Sequence, residues 1–174
     1  MAKISLIGAG SVVFARRLLQ DIVCVPELSD STVSLMDIDP ERLALMSKFA
    51  KKLSRDTGTN IKVETTLDRR EALDGSDYVL TTIRVGDSYE RDIAIPLKYG
   101  VDQSVGDTVG PGGVFKALRT APVLMDICED IEDVAPNAIL LNYTNPMAIA
   151  CWAMAEATDV PTIGLCHSVQ HTTA

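Results

Sequence analysis

Short apolar runs alternate with segments of helical periodicity along this chain, and that alternation limits what it can fold into. KISLIGAG from Lys3, TVSLMDID from Thr32, IKVETT from Ile61, SDYVLTTI from Ser76, NAILLNYTNP from Asn137 and VPTIGLCH from Val160 each read as a strand running into a turn. Between them lie helical patterns. Residues 11–25 carry apolar residues at helical spacing (Val13, Leu18, Ile22), and residues 40–58 open on Pro40 and close on Gly58. Residues 112–134 and 147–158 complete the set, the former with Pro122 as a candidate bend. Nearly unbroken apolar strands separated by helices predict a mostly parallel sheet covered on both faces. Six such strands fit the doubly wound, Rossmann-type α/β fold that binds dinucleotides.

Composition narrows the partners. The 174 residues suffice for one domain with a sizeable core, here residues 1–174. A net charge of −8 argues against nucleic acid, whose phosphates call for clustered Lys and Arg. No apolar run reaches membrane-spanning length, so no membrane partner is expected. The opening MAKISLIGAG is too short and Gly-rich for a secretory signal. Cys24, Cys128, Cys151 and Cys166 show no paired spacing and fit reduced thiols in a cytoplasm. Asn142–Thr144 matches a glycosylation sequon, read here as chance. No repeat, low-complexity tract or flexible linker divides the chain.

The first turn reads Gly8-Ala9-Gly10-Ser11-Val12-Val13, the first two glycines of G-x-G-x-x-G with Val13 at the third. Gly8 allows a tight turn, and Gly10 lets the backbone approach a pyrophosphate at a helix N-terminus. Alone the fragment is weak, but it follows a strand, opens a helix and is succeeded by an acid. Asp37 ends the second strand, 27 residues beyond Gly10. A carboxylate there accepts from ribose hydroxyls and repels a 2′-phosphate, which favours NAD over NADP. The bland alternative is a helix cap, the natural role of Asp39 before Pro40.

Ligands of this fold sit beyond the carboxyl ends of the strands. Those ends carry TIRVGD (82–87), NYTNP (142–146) and Cys166-His167, while GPGG (110–113) precedes a helix. Singly, each has an ordinary reading: Asn145 as a turn residue, Cys166 as a small buried hydrophobe, His167 as a structural histidine, GPGG as a loop before a helix.

Together and in this order, GAGS, MDIDP, TVGPGGVFKALRT, LNYTNPMA and GLCHSVQ resemble glycoside hydrolase family 4, most closely its bacterial α-galactosidases. The resemblance runs from Lys3 to Gln170. It implies a glycosidase dependent on NAD and a divalent metal, usually manganese. It implies cofactor contacts at Gly8, Gly10, Ser11, Val12, Phe14, Asp37, Ile83 and Arg84. Cys166 would bind the metal, and His167 would be the general acid. Asn145, Asn142 and Arg119 would hold the sugar, with Asp87 on the rim. His167 following the cysteine, where relatives acting on 6-phosphorylated sugars have Asp or Asn, implies an unphosphorylated substrate. His171 and the residues after it depart from the pattern and are not assigned as ligands. The family's second metal ligand and its tyrosine base have no match here, so the chain is expected to be the N-terminal part of a longer, homo-oligomeric enzyme.

The implied route is redox-elimination-addition. Hydride leaves C3 of the sugar, a base removes the acidified C2 proton, and the aglycone departs from C1 with a proton from His167. Water then adds to C1 and the hydride returns. Galactoside, glucoside and galacturonide all remain open as substrates. A lactate- or malate-type dehydrogenase is a further alternative, since it shares the fold and an Asn-Pro after the fifth strand. So is a nucleotide-binding module with no catalysis of its own.

Overall fold

The computed structural model describes residues 1–86, 90–103 and 108–166. Six strands form one sheet: β1 (Lys3–Ile7), β2 (Thr32–Met36), β3 (Lys62–Thr66), β4 (Tyr78–Thr81), β5 (Ile139–Asn142) and β6 (Thr162–Gly164). Their order is β3-β2-β1-β4-β5-β6, and every pair is parallel. This is the doubly wound order, reversing direction between β1 and β4.

Strand periodicity sorts the core into two layers. Ile4 and Leu6, Val33 and Leu35, and Leu80 point to one face. There they meet α1 (Phe14–Cys24) through Ala15, Leu19 and Ile22, and α2 (Pro40–Thr57) through Leu43, Met46 and Ala50. Ile7, Met36, Val79 and Leu140 point to the other face. They pack on α3 (Arg69–Leu73), α5 (Gly110–Val134) and α6 (Met147–Ala157). Alternate residues facing opposite layers is the two-residue period of a strand, here with both faces covered. Ser5 breaks the apolar run of β1, but its hydroxyl is satisfied by Ala72 O at 2.7 Å and Ser76 Oγ at 2.6 Å.

Local chemistry sets the helix ends. Asp39 caps α2, accepting from Glu41 N at 3.0 Å and Arg42 N at 3.1 Å, with Pro40 in the first turn. Gly58 ends α2 at φ +69°. α1 begins at Phe14, three residues later than its apolar pattern suggests, because Gly8–Val13 are taken up by the turn. α5 runs through Pro122 as one element. Three further short elements lie outside the expected pattern: α3, α4 (Glu90–Leu97) and the 3-10 turn Pro26–Leu28. α3 did leave a capping signal, Asp68-x-x-Glu71, realised as Glu71 N donating to Asp68 Oδ1 at 3.0 Å. Asp130, on α5, ties α3 down by pairing with Arg69 at 2.5 Å and Arg70 at 2.7 Å.

Among the described residues no helix is long and apolar enough to cross a membrane. Leu140 is fully buried at the centre of the α5–α6 layer. Leu140→Ala should therefore cost about 2–5 kcal/mol of stability, read as a lower urea midpoint with an unchanged slope.

Candidate functional site

All six strands run the same way, so their exits share one rim. The register aligns Ile7 with Met36 on one side and with Thr81 on the other, then Thr81 with Asn142 and Asn142 with Gly164. The residues that follow these positions form the candidate site.

At the strand-order reversal, the Gly8 and Ala9 amides both donate to Met36 O, at 3.0 and 2.9 Å. Gly8 has φ +90°, and a Cβ there would lie 2.9 Å from the backbone C and O of Thr82. Thr82 Oγ1 donates to Gly8 O at 2.9 Å. A side chain at position 8 is thus excluded by conformation and by space.

Gly10 is explained differently from the sequence expectation. Its amide donates to Asp37 Oδ2 at 2.7 Å, and a Cβ would stand 2.7 Å from that oxygen and 2.9 Å from Arg42 Cβ. The missing side chain makes room first for Asp37 and α2. Asp37 Oδ1 accepts from Asp39 N at 2.9 Å. Each Asp37 oxygen thus accepts one protein bond and keeps a lone pair for a further donor. The half-buried carboxylate sits beside the glycine turn, and Asp39 takes the capping role. Ser11 Oγ accepts from Phe14 N at 3.4 Å, and the Val12 side chain is exposed. Phe14 reaches across to the β5 exit, its ring 6.3 Å from that of Tyr143.

On the other side of the reversal, Ile83 N donates to Thr144 Oγ1 at 3.2 Å, and Arg84 is exposed just beyond. Asn145 is half-buried, joined to Pro146 by a cis peptide bond at the start of α6. Cys166 is half-buried two residues past β6. Asp87 and His167 lie outside the described residues.

Asn142 is not on the rim. It is fully buried, and its Oδ1 accepts from Thr81 Oγ1 at 2.9 Å and Thr144 N at 3.1 Å. Its Nδ2 donates to Thr144 O at 3.1 Å and faces Cys151 Sγ at 3.7 Å. The expectation that Asn142 holds a sugar hydroxyl is corrected, because its amide is consumed inside the protein. The same burial closes the sequon to glycan attachment. Arg119 is also committed within the chain. It grips Asp92 bidentately at 2.9 and 2.7 Å, and Asp92 is only 5% exposed. Within the chain Arg119 forms a clamp between α4 and α5.

The glycines around that clamp serve contacts within the protein. Gly110, at φ +68°, has Gln103 Oε1 where a Cβ would lie 2.7 Å away, and Gly113 rests on the Thr108 carbonyl. Gln103 Nε2 donates to Asp92 O at 2.8 Å. A groove of about 450 Å³ beside the pair is lined by Ile95, Pro96, Phe115 and Leu118. Sequence reasoning missed Asp92, Thr144 and Cys151. An acid at position 92 with an Arg 27 residues on gives no local signal, whereas Thr144, two residues after Asn142, could have flagged a buried network.

For a dinucleotide, the Gly8 turn and the partly free Asp37 carboxylate fit. For a divalent metal they do not suffice. Among the described residues no three His, Cys, Asp or Glu side chains cluster, and Cys166 is a single donor. Burial raises the thiol pKa of Cys151, partly offset by the Asn142 amide, and pushes Cys128 up to about 11. Both are thiols held neutral by packing, unlike a reactive or ligating cysteine. The Asp92 pair makes its own prediction. Asp92→Ala removes the buried carboxylate and its two charge-assisted bonds, leaving Arg119 open to water, and should lower stability by about 1–3 kcal/mol in urea. Arg119→Lys, which keeps charge but loses the fork, should cost less.

The family model described as "Family 4 glycosyl hydrolase" matches residues 3–174. The α-galactosidase of Rhizobium meliloti (strain 1021) is 46% identical over 172 residues, covering 97% of this chain and 35% of that protein. The α-galactosidase of Bacillus subtilis (strain 168) is 44% identical, covering 98% of this chain and 40% of that protein. The 6-phospho-β-glucosidase of Thermotoga maritima, solved with manganese, NAD+ and glucose-6-phosphate, superposes with a TM-score of 0.87 at 29% identity. That match covers 99% of this chain and 41% of the solved one. The chain thus spans 35–40% of the length of these curated relatives. A match over all but the first two residues, on a sheet wound as in its solved relative, means that the chain belongs to glycosyl hydrolase family 4.

Proposed function

We propose that this chain is the NAD-binding part of an enzyme that hydrolyses unphosphorylated α-glycosides, with α-galactosides as the first substrate class. One observation carries the cofactor reading. The Gly8–Gly10 turn is pinned to β2, with Asp37 facing it at 2.7 Å from the Gly10 amide. The two α-galactosidase relatives support the sugar. His167 in place of Asp or Asn supports an unphosphorylated one. Family membership displaces the lactate- or malate-type dehydrogenase reading.

The chemistry gained with NAD is reversible hydride acceptance from a sugar carbon, and with a divalent metal it is polarisation of sugar oxygens. The chain's residues do the rest. Gly8 and Gly10 keep side chains away from the turn at the N-terminus of α1, whose positive dipole end favours a phosphate. Ser11, Val12 and Phe14 line that turn, with Ile83 and Arg84 across the reversal. Asp37 accepts from ribose hydroxyls and opposes a 2′-phosphate. Asn145 would orient sugar hydroxyls with Asp87 as a further substrate contact, and Cys166 would offer one thiolate to a metal whose other ligands are not among the described residues. His167 gives a proton to the departing oxygen.

Calorimetry tests the cofactor site directly. NAD should bind this chain, NADP should bind at least ~10-fold more weakly, and Gly10→Val should abolish binding. Equal affinity for the two would remove the Asp37 argument. For an enzyme of the relatives' full length, a panel of nitrophenyl glycosides with NAD, manganese and a reductant tests the reaction. Galactoside should be cleaved without net NADH, whereas NADH in proportion to product would point to a dehydrogenase. His167→Ala should lose more activity on alkyl than on nitrophenyl galactosides, since a good leaving group needs less proton donation.

A further inference from the structure

We infer that Asn142 is a positioning residue, whose side-chain amide fixes the β4, β5 and β6 exits relative to one another and so places Ile83, Asn145 and Cys166. The importance of those three residues rests on the function proposed above; the geometry does not. Asn142, Thr81 and Thr144 are 0%, 0% and 2% exposed. An amide carries two donors and two acceptor sites, and here all four face protein partners. Thr81 belongs to β4, Thr144 to the β5 exit and Cys151 to α6.

The next contacts outward lead to the rim. Thr144 Oγ1 receives the Ile83 amide, fixing the chain beyond β4. Leu165 N donates to Asn142 O at 2.9 Å, one residue before Cys166. Gly164 lies flush on α6, since a Cβ there would stand 2.8 Å from Cys151 Sγ and overlap Met147 Sδ. The Asn142 amide therefore faces the same sulfur on which the β6 exit rests. Neither its acid nor its apolar counterpart can replace it. Aspartate cannot donate to Thr144 O, and leucine leaves the Thr81 hydroxyl and both Thr144 backbone groups unpaired in a dry interior.

Ordinary core bonding would predict lost stability and nothing more, so the test needs a readout at the rim. In the metal-free chain, Cys166 carbamidomethylation is measured against exposed Cys24 by mass spectrometry, well below each variant's Tm. ADP-ribose affinity is measured alongside. Asn142→Leu and Thr144→Val should each change the Cys166:Cys24 rate ratio by about fivefold or more, through local opening of the exits. ADP-ribose, held at Gly8, Gly10 and Asp37, should bind within about twofold of wild type. Ser5→Ala, which removes a buried hydroxyl bonded to Ala72 and Ser76, should lower Tm without moving the ratio. An unchanged ratio in an Asn142 variant of lowered Tm overturns the inference, as does an equal change in Ser5→Ala. If Asn142→Leu does not fold, Thr81→Val is read by the same ratio. A wild-type chain that binds neither ADP-ribose nor NAD would remove the cofactor reading, and the thiol ratio would still decide the positioning role.

Discussion

The molecule is organised around one close approach, the Gly8 backbone against the carbonyl of Thr82 where strand order reverses. Parallel pairing brings Ile7 and Thr81 side by side, but the chains beyond them must part to enter separate layers. They can part cleanly only if position 8 carries no side chain into the gap. Gly8 supplies the space and the positive φ, and Thr82 closes the gap with its hydroxyl on Gly8 O. A bulkier pair would spread β1 from β4 and open the sheet at its centre.

Polar groups buried near that line divide into those that hold the frame and those left for ligands. Asn142, Thr81 and Thr144 bond to one another, and Arg119 is held by Asp92. Both sets satisfy themselves, as groups removed from water must. Asp37 differs, since each oxygen accepts a single bond from its own chain and the group is half-buried rather than sealed. Spare hydrogen-bonding capacity at the open end of the sheet separates a ligand-facing carboxylate from a structural one.

This division explains how far the sequence could be read. Strands and their parallel order were legible because periodicity and connection length are local properties, and the caps of α2 were spelled out by Asp39, Pro40 and Gly58. α3 was overlooked because it is only five residues long, although its Asp68 cap was in plain view. Asn142 was misassigned because a strand's last residue can turn inward or outward, and only packing against Thr144 and Cys151 decides which. The Arg119–Asp92 pair went unread because its members lie 27 residues apart on different helices. Gly10 has a second reason to lack a side chain that the sequence did not show, since Asp37 and Arg42 reach that space from β2 and α2.

An anionic chain proposed to hold an anionic dinucleotide has to concentrate its attraction locally. The net charge of −8 is distributed over the surface, where salt screens it within roughly 8 Å. What acts on a bound phosphate is the field at the rim, and there the acids are placed selectively. α1, α5 and α6 have no acidic residue in their first turns, whereas α2, α3 and α4 begin with Glu41, Glu71, and Glu90 with Asp92. In α2 and α3 the carboxylates neutralise the helix dipole, which favours the folded state but repels an incoming anion. α1 follows the glycine turn directly and α6 follows Asn145-Pro146, and neither carries an acid of its own in its first turn to offset its positive end. The rim thus keeps its positive helix ends where the cofactor turn and the Asn145 exit meet, and places its compensating acids on helices that serve the frame.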